Sequence, residues 1–142
     1  MKTHVYLDSD VIIDYLYARD PFFQESLQIF SLIETKEIKA SVSSLIIWNI
    51  YYILSKYISE KKTRELIKDF RSIIDIISVD DKIIDLALNS SMKDFEDSVQ
   101  FFAAKSKKVK YIITRNKKDY PSSEIIVISP KEFLNLIKTL KS

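Results

Sequence analysis

Val5-Tyr6-Leu7-Asp8-Ser9-Asp10-Val11-Ile12-Ile13-Asp14 joins a short β-branched and aromatic run to an acid, and then to apolar residues at helical spacing. Residues 4–7 read as a buried strand and residues 10–17 as a helix leaving it directly. A strand feeding a helix in this way begins a βαβ unit, and the alternation continues along the chain. Further strands are predicted at 39–42, 75–79, 111–114 and 125–128. Helices are predicted over 22–34, where Pro21 suits the start, over about 44–57 with Ser43 or Ser44 as cap, and over 59–73 behind Ser59. Three more cover 80–88, the stretch opened by Asp94, and residues from Pro130 to 140. The expectation is one α/β domain over residues 1–142, with a largely parallel sheet.

Composition narrows the chemistry. Of 142 residues none is Gly and none Cys, and His4 is the single histidine. P-loops and G-x-G-x-x-G turns need glycine for the backbone to approach a phosphate, so nucleotide enzymes of those types are excluded. No thiol nucleophile, disulfide, cysteine zinc site or multi-histidine metal site can be built. Catalysis would rest on carboxylates, hydroxyls and amides. Hydrophobic residues make up 46% of the chain, enough for a sizeable core, and the net charge is only +2. Neither a secretory signal nor a membrane span is expected, and a cytoplasmic location is the default.

The acids fall where an α/β sheet collects ligands, beyond the carboxyl ends of strands. Asp8 ends the first strand, with Asp10 and Asp14 following on its helix. Asp94-Phe95-Glu96-Asp97 opens another helix. Thr114, Arg115 and Asn116 leave the strand at 111–113, and Asp119 follows. Each has a structural reading as well: Asp10 as a helix cap, Asp14 as a solvated helix residue, Asp97 as part of a capping box, Asp119 as a turn residue, and Thr114 and Asn116 as partners for loop backbone. Gathered on one rim, these carboxylates would repel one another unless a cation neutralised them. A hard divalent ion with oxygen ligands suits them, Mg²⁺ with Mn²⁺ able to substitute, and such an ion favours phosphodiester hydrolysis.

Cations stand beside them in the sequence. Lys105, Lys107, Lys108, Lys110, Arg115, Lys117 and Lys118 precede Asp119 without an intervening acid, a density able to track a phosphate backbone. Between Lys56 and Arg71, Glu60, Glu65 and Asp69 interleave the basic residues, and that stretch reads as an ordinary solvated face. The helix over 44–57 is apolar nearly all round, which leaves two readings: a homodimer contact or a helix central to the monomer. With no glycine available, any turn position needing positive φ is expected on Asn or Asp.

The sequence resembles PIN-domain proteins of the kind found as VapC-type toxin ribonucleases. Three segments in order carry the resemblance: Val5 to Asp14, Phe95-Glu96-Asp97-Ser98-Val99-Gln100, and Ile112-Ile113-Thr114-Arg115-Asn116-Lys117-Lys118-Asp119-Tyr120. The resemblance implies a three-layer α/β/α fold with a mainly parallel sheet of four to five strands. It implies a metal-dependent endoribonuclease, the toxin of a toxin–antitoxin pair, leaving a 5′-phosphate and a 3′-hydroxyl. Asp8, Asp97 and Asp119 would hold metal, Thr114 and Asn116 would position phosphate or water, and Lys108, Arg115, Lys117 and Lys118 would meet RNA. A small antitoxin protein is the implied partner. Asn49 stands where many members place a Glu; its amide carbonyl can still ligate or hold water, but brings no charge. Two other readings follow from the residues: a noncatalytic module binding RNA or protein, and a phosphatase resembling the haloacid-dehalogenase superfamily with Asp8 as nucleophile.

Overall fold

The computed structural model describes residues 2–121 and 123–141. Its strands are β1 (Thr3–Leu7), β2 (Ile38–Ser43), β3 (Asp75–Ile77), β4 (Tyr111–Ile113) and β5 (Ile126–Ile128). Its helices are α1 (Ser9–Leu16), α2 (Phe23–Glu34), α3 (Ser44–Leu54), α4 (Glu60–Arg71), α5 (Asp81–Leu88), α6 (Phe95–Ser106) and α7 (Pro130–Lys141). The strands form one parallel sheet in the order β3-β2-β1-β4-β5. Helices cover both faces, giving the three-layer α/β/α architecture expected, with α5 packed on α6 and α2 between α1 and α7. No described helix is long and apolar enough to cross a membrane.

Local chemistry accounts for the boundaries. Ser43, Ser59 and Asp80 cap α3, α4 and α5, their side chains accepting from the N–H groups of Ile46, Lys62 and Ile83. Each capped N–H would otherwise lack a partner in the first turn. Val5, Tyr6, Leu7, Ile112 and Ile113 are buried, as parallel strands covered on both faces require. The predicted strand at 75–79 ends at Ile77, and the helix expected to 57 ends at Leu54.

Two expectations are corrected. The helix α3 is not central to the monomer. Ile46, Ile50 and Leu54 bury one side, while Trp48 is 68% exposed and Tyr52 57%. The positive-φ positions among the described residues are Ala18, Lys36 and Lys108, at 50°, 63° and 54°, not Asn or Asp. All three stand immediately after a helix C-cap: Tyr17, Thr35 and Lys107. Arg19, Glu37 and Val109 then donate N–H bonds back to the carbonyls of Asp14, Leu32 and Ala104, closing Schellman turns. That geometry demands a left-handed residue, and helix termination rather than side-chain preference decides which one adopts it.

Candidate active site

The sheet changes direction of strand order at β1. From β1 the chain steps first to β2 on one side, and later to β4 on the other. A crevice for ligands opens at such a point, outside the carboxyl ends of the strands. Register pairs Leu7 with Ile113, so the next residues, Asp8 and Thr114, emerge side by side.

Asp8 is held by four donors. Oδ1 caps α1, accepting from the Ser9 N–H at 2.7 Å and the Ser9 hydroxyl at 3.4 Å. Oδ2 accepts from the Thr114 hydroxyl at 2.9 Å and the Tyr120 hydroxyl at 3.0 Å. Burial, then the charges of Asp8 and Asp97, push the Tyr120 phenol far above its ordinary range, so it stays a proton donor. Tyr120 is a site residue that enters the sequence analysis only as the end of the third resembling segment, with no role of its own. Its proximity to Asp8 comes from tertiary placement of the loop after β4.

Asp10 does not cap its helix, because Asp8 does. Instead Asp10 Oδ2 accepts from the Thr114 hydroxyl at 3.4 Å, the Arg115 N–H at 3.0 Å and the Asn116 side-chain amide at 3.2 Å. It thereby pins the loop leaving β4. Burial and the neighbouring Asp8 raise its carboxyl to about 6, against the lowering effect of Arg115. Among the described residues its Oδ1 has no hydrogen-bond partner.

Asp14 is not solvated. It is fully buried and receives Arg19 Nε at 2.9 Å on Oδ1 and Arg115 Nε at 2.7 Å on Oδ2. The Arg115 guanidinium also lies 3.7 Å from the centre of the Phe22 ring. Arg115 therefore fixes the loop against α1 and the start of α2, a role the sequence did not disclose.

Asp97 enters from the first turn of α6. Its own N–H is capped by Asp94 Oδ1 at 2.9 Å, whereas no hydrogen bond from a described residue reaches its carboxylate. Burial and the charges of Asp94, Asp8, Asp119 and Glu96 raise Asp97 to about 7. The acids separated in sequence thus share one electrostatic field. Asp119 lies exposed in the single 3-10 turn Lys117–Asp119, and Asn116 is exposed just before it. Asn49, half-buried on α3, donates from Nδ2 to Glu96 Oε1 at 2.6 Å. Burial, Asp94 and Asp8 raise the Glu96 carboxyl.

Beneath the rim Tyr6, Ser43 and Gln100 form a buried polar floor. The Tyr6 hydroxyl donates to Gln100 Oε1, the Ser43 hydroxyl donates to the same oxygen at 3.0 Å, and the Ser43 N–H donates to the Tyr6 oxygen at 3.1 Å. These bonds tie β1, β2 and α6 together under the acids.

The basic block divides around β4. Lys117 and Lys118 belong to the rim, Lys117 paired with Glu132 at 2.8 Å. Lys108 precedes β4 and sits at the amino end of the strand, away from the acids, because a parallel strand separates its two ends.

Among the described residues no group of three or more His, Asp or Glu side chains is drawn together closely enough to enclose an ion. The donors nevertheless fit a hard cation with few protein ligands. They are all oxygen, burial and then their mutual repulsion lift Asp97, and Mg²⁺ takes one or two carboxylates with waters retained.

The PIN-domain family model matches residues 4–118, from β1 into the 3-10 turn. The chain belongs to the PIN-domain family. This PIN domain is 30% identical over 141 residues to Ribonuclease VapC1 of Aquifex aeolicus (strain VF5), with 96% of each chain covered. Its fold is similar to a chain of a toxin-antitoxin complex from Klebsiella pneumoniae, at TM-score 0.67 and 22% identity, covering 89% of this chain and 97% of that one. It is also similar to a chain of VapBC2 from Rickettsia felis, bound to a DNA fragment from the promoter, at TM-score 0.66 and 14% identity, covering 89% and 98%. Membership in the PIN family replaces the reading of Asp8 as a haloacid-dehalogenase nucleophile. Asp119 falls one residue beyond the matched segment, and the Phe95–Gln100 helix start lies inside it.

Proposed function

We propose that this PIN domain is a metal-dependent endoribonuclease, the toxin of a type II toxin–antitoxin pair. The observation that carries this is the shared field of Asp8, Asp97 and Asp119, brought by three separate segments to one end of the sheet. The likeness to a protein named Ribonuclease VapC1 over nearly the whole chain supports the reading.

Asp8, Asp97 and Asp119 are the residues that would hold Mg²⁺ or Mn²⁺. When bound, such an ion polarises a phosphate oxygen and makes water a better nucleophile at neutral pH. The chain's own residues orient the parts. Thr114 and Tyr120 aim the Asp8 carboxylate, Asp10 fixes the loop that carries Thr114 and Asn116, and the exposed Asn116 amide faces the rim where a phosphate would lie. Asn49, in place of the Glu of many members, leaves its carbonyl for water while its NH₂ holds Glu96. Lys117 and Lys118 neutralise RNA phosphates beside the scissile bond.

An antitoxin partner and a cytoplasmic location belong to this reading, supported by the likeness to chains of toxin-antitoxin complexes. The homodimer expected through helix 44–57 would use the exposed side of α3, where Trp48 and Tyr52 stand clear of the core. Incubating the purified chain with structured RNAs, with and without Mg²⁺, tests the proposal: metal-dependent cuts with 5′-phosphate ends are expected. Metal-insensitive RNA binding with no cleavage of any substrate would instead support the noncatalytic reading.

A further inference from the structure

Helices α3 and α4 enclose a groove of about 640 Å³ floored by Ile47, Tyr51 and Ile67 and bordered by Trp48, Arg64, Lys68 and Arg71. The acids interleaved in the α4 sequence do not reach it. Arg64, Lys68 and Arg71 recur at helical spacing on one face, while Glu65 and Asp69 turn away, and among the described residues no carboxylate lines the groove. The stretch that reads as an ordinary solvated face in sequence is, in the fold, a stripe of cations.

Trp48 forms the ridge of this groove and is 68% exposed. The following residue, Asn49, turns around α3 to meet Glu96 at the acid cluster. The groove and the candidate active site thus adjoin neighbouring faces of one helix. Tyr52, one turn on, is also exposed and carries the Lys56 ammonium 4.3 Å from its ring centre.

From this arrangement we infer that the α3–α4 groove is a second RNA-binding site, where an unpaired base of the substrate stacks on Trp48 and flanking phosphates meet Arg64, Lys68 and Arg71. The site rests on the proposal that RNA is the substrate, and adds to it a preference for RNA with a single-stranded segment beside the cleaved bond. A flat aromatic face beside a row of cations is the combination that holds single-stranded nucleic acid. The ring accepts any base, and the cations follow the backbone. A second copy seated symmetrically on the groove would find no acid in it to pair with these three cations. An acidic amphipathic protein segment would match the charge, but a flat indole left 68% exposed at the edge of the groove is the surface on which a base stacks.

Trp48 is the chain's one tryptophan, so its emission reports the groove directly. Full-length Asp8→Asn protein, used to prevent turnover, is titrated with decauridylate and decaadenylate RNA at low and moderate salt. Saturable quenching that weakens with salt is expected. Arg64→Glu with Lys68→Glu should weaken binding roughly tenfold or more, and Trp48→Ala, followed with end-labelled RNA, roughly tenfold. Trp48→Phe should recover part of that loss. In the otherwise native chain Trp48→Ala should raise KM for RNA and leave kcat within about twofold. Circular dichroism melting confirms that the variants fold. Unchanged emission with RNA overturns the inference. So does an emission change produced instead by an acidic amphipathic helical peptide, or by raising the protein concentration alone. Quenching without RNA cleavage by the native chain would leave the groove standing and refute the ribonuclease reading; cleavage without quenching would do the reverse.

Discussion

The Thr114 hydroxyl donates to Asp8 Oδ2 across 2.9 Å, although 106 residues separate the two in sequence. Parallel pairing of β1 with β4 makes this contact, because the Leu7–Ile113 register leaves both residues at the same height beyond the sheet. Thr114 is fully buried; Asp8 is the nearer acceptor of its hydroxyl, Asp10 Oδ2 lies at 3.4 Å, and the hydroxyl oxygen accepts from the Asn116 N–H at 3.0 Å.

Thr114→Val removes that donor with little change of shape. Partners that orient a metal-binding carboxylate typically contribute 10–100-fold in metal affinity. Mg²⁺ affinity, measured by calorimetric titration, is expected to fall by about that factor in Thr114→Val and to be largely retained in Thr114→Ser. Equal affinity in all three proteins would remove Thr114 from the site.

The raised acids set a pH dependence. Burial and neighbouring acids raise Asp10 to about 6 and Asp97 to about 7 in the fold, above their ordinary value of 3.8. Between those limits the folded state binds more protons than the unfolded state, so stability falls as pH rises from about 4 through 7. Glu132, lowered to about 2 by Lys117 and the Ser129 N–H, acts in the opposite direction but below this window. In chelator, Tm should therefore drop between pH 5 and pH 8. Mg²⁺ should raise Tm more at pH 8 than at pH 5, since it competes with the protons. A metal effect equal at both pH values would contradict the placement of the ion at Asp97.

Asp14 carries a structural load that its place in the sequence conceals. Asp14→Asn leaves Arg19 and Arg115 without their shared counter-ion. Removing one partner of a buried ion pair costs about 3–5 kcal/mol, and the part-exposure of both arginines brings the expected loss toward about 2–3 kcal/mol. Denaturant unfolding measures it. A loss below about 0.5 kcal/mol would show that the buried pair contributes little.

Lys36 occupies a left-handed position after α2 where glycine has no Cβ clash. Relief of about 1–2 kcal/mol is partly offset by glycine's greater freedom when unfolded. Lys36→Gly is expected to stabilise the chain by about 0.5–1 kcal/mol, with Lys36→Ala near neutral. Destabilisation by glycine would contradict the assignment of strain to this turn.

Most of the framework was legible in the sequence because period, capping and strand composition are local signals. Asp8, Asp97, Thr114 and Asn116 were legible because short motifs place them at strand ends and a helix start. Four features escaped. Asp14 looked like any acid on an amphipathic helix, since its two arginines arrive from Arg19 and from the far end of β4. Tyr120 meets Asp8 only after the loop folds back. The cations of α4 appear mixed with acids until helical rotation sorts them. The left-handed turns fell on Ala18, Lys36 and Lys108 because three helices end there, and a chain without glycine must use whatever residue stands next.

The most direct test compares native protein, Asp8→Asn and Asp97→Asn on the same structured RNA, in Mg²⁺, in Mn²⁺ and in chelator, with the cut ends mapped. Endonucleolytic cuts bearing 5′-phosphate and 3′-hydroxyl ends are expected from the native chain with metal alone, and none from either folded variant. Undiminished cutting by either variant, or by the native chain in chelator, would contradict the account.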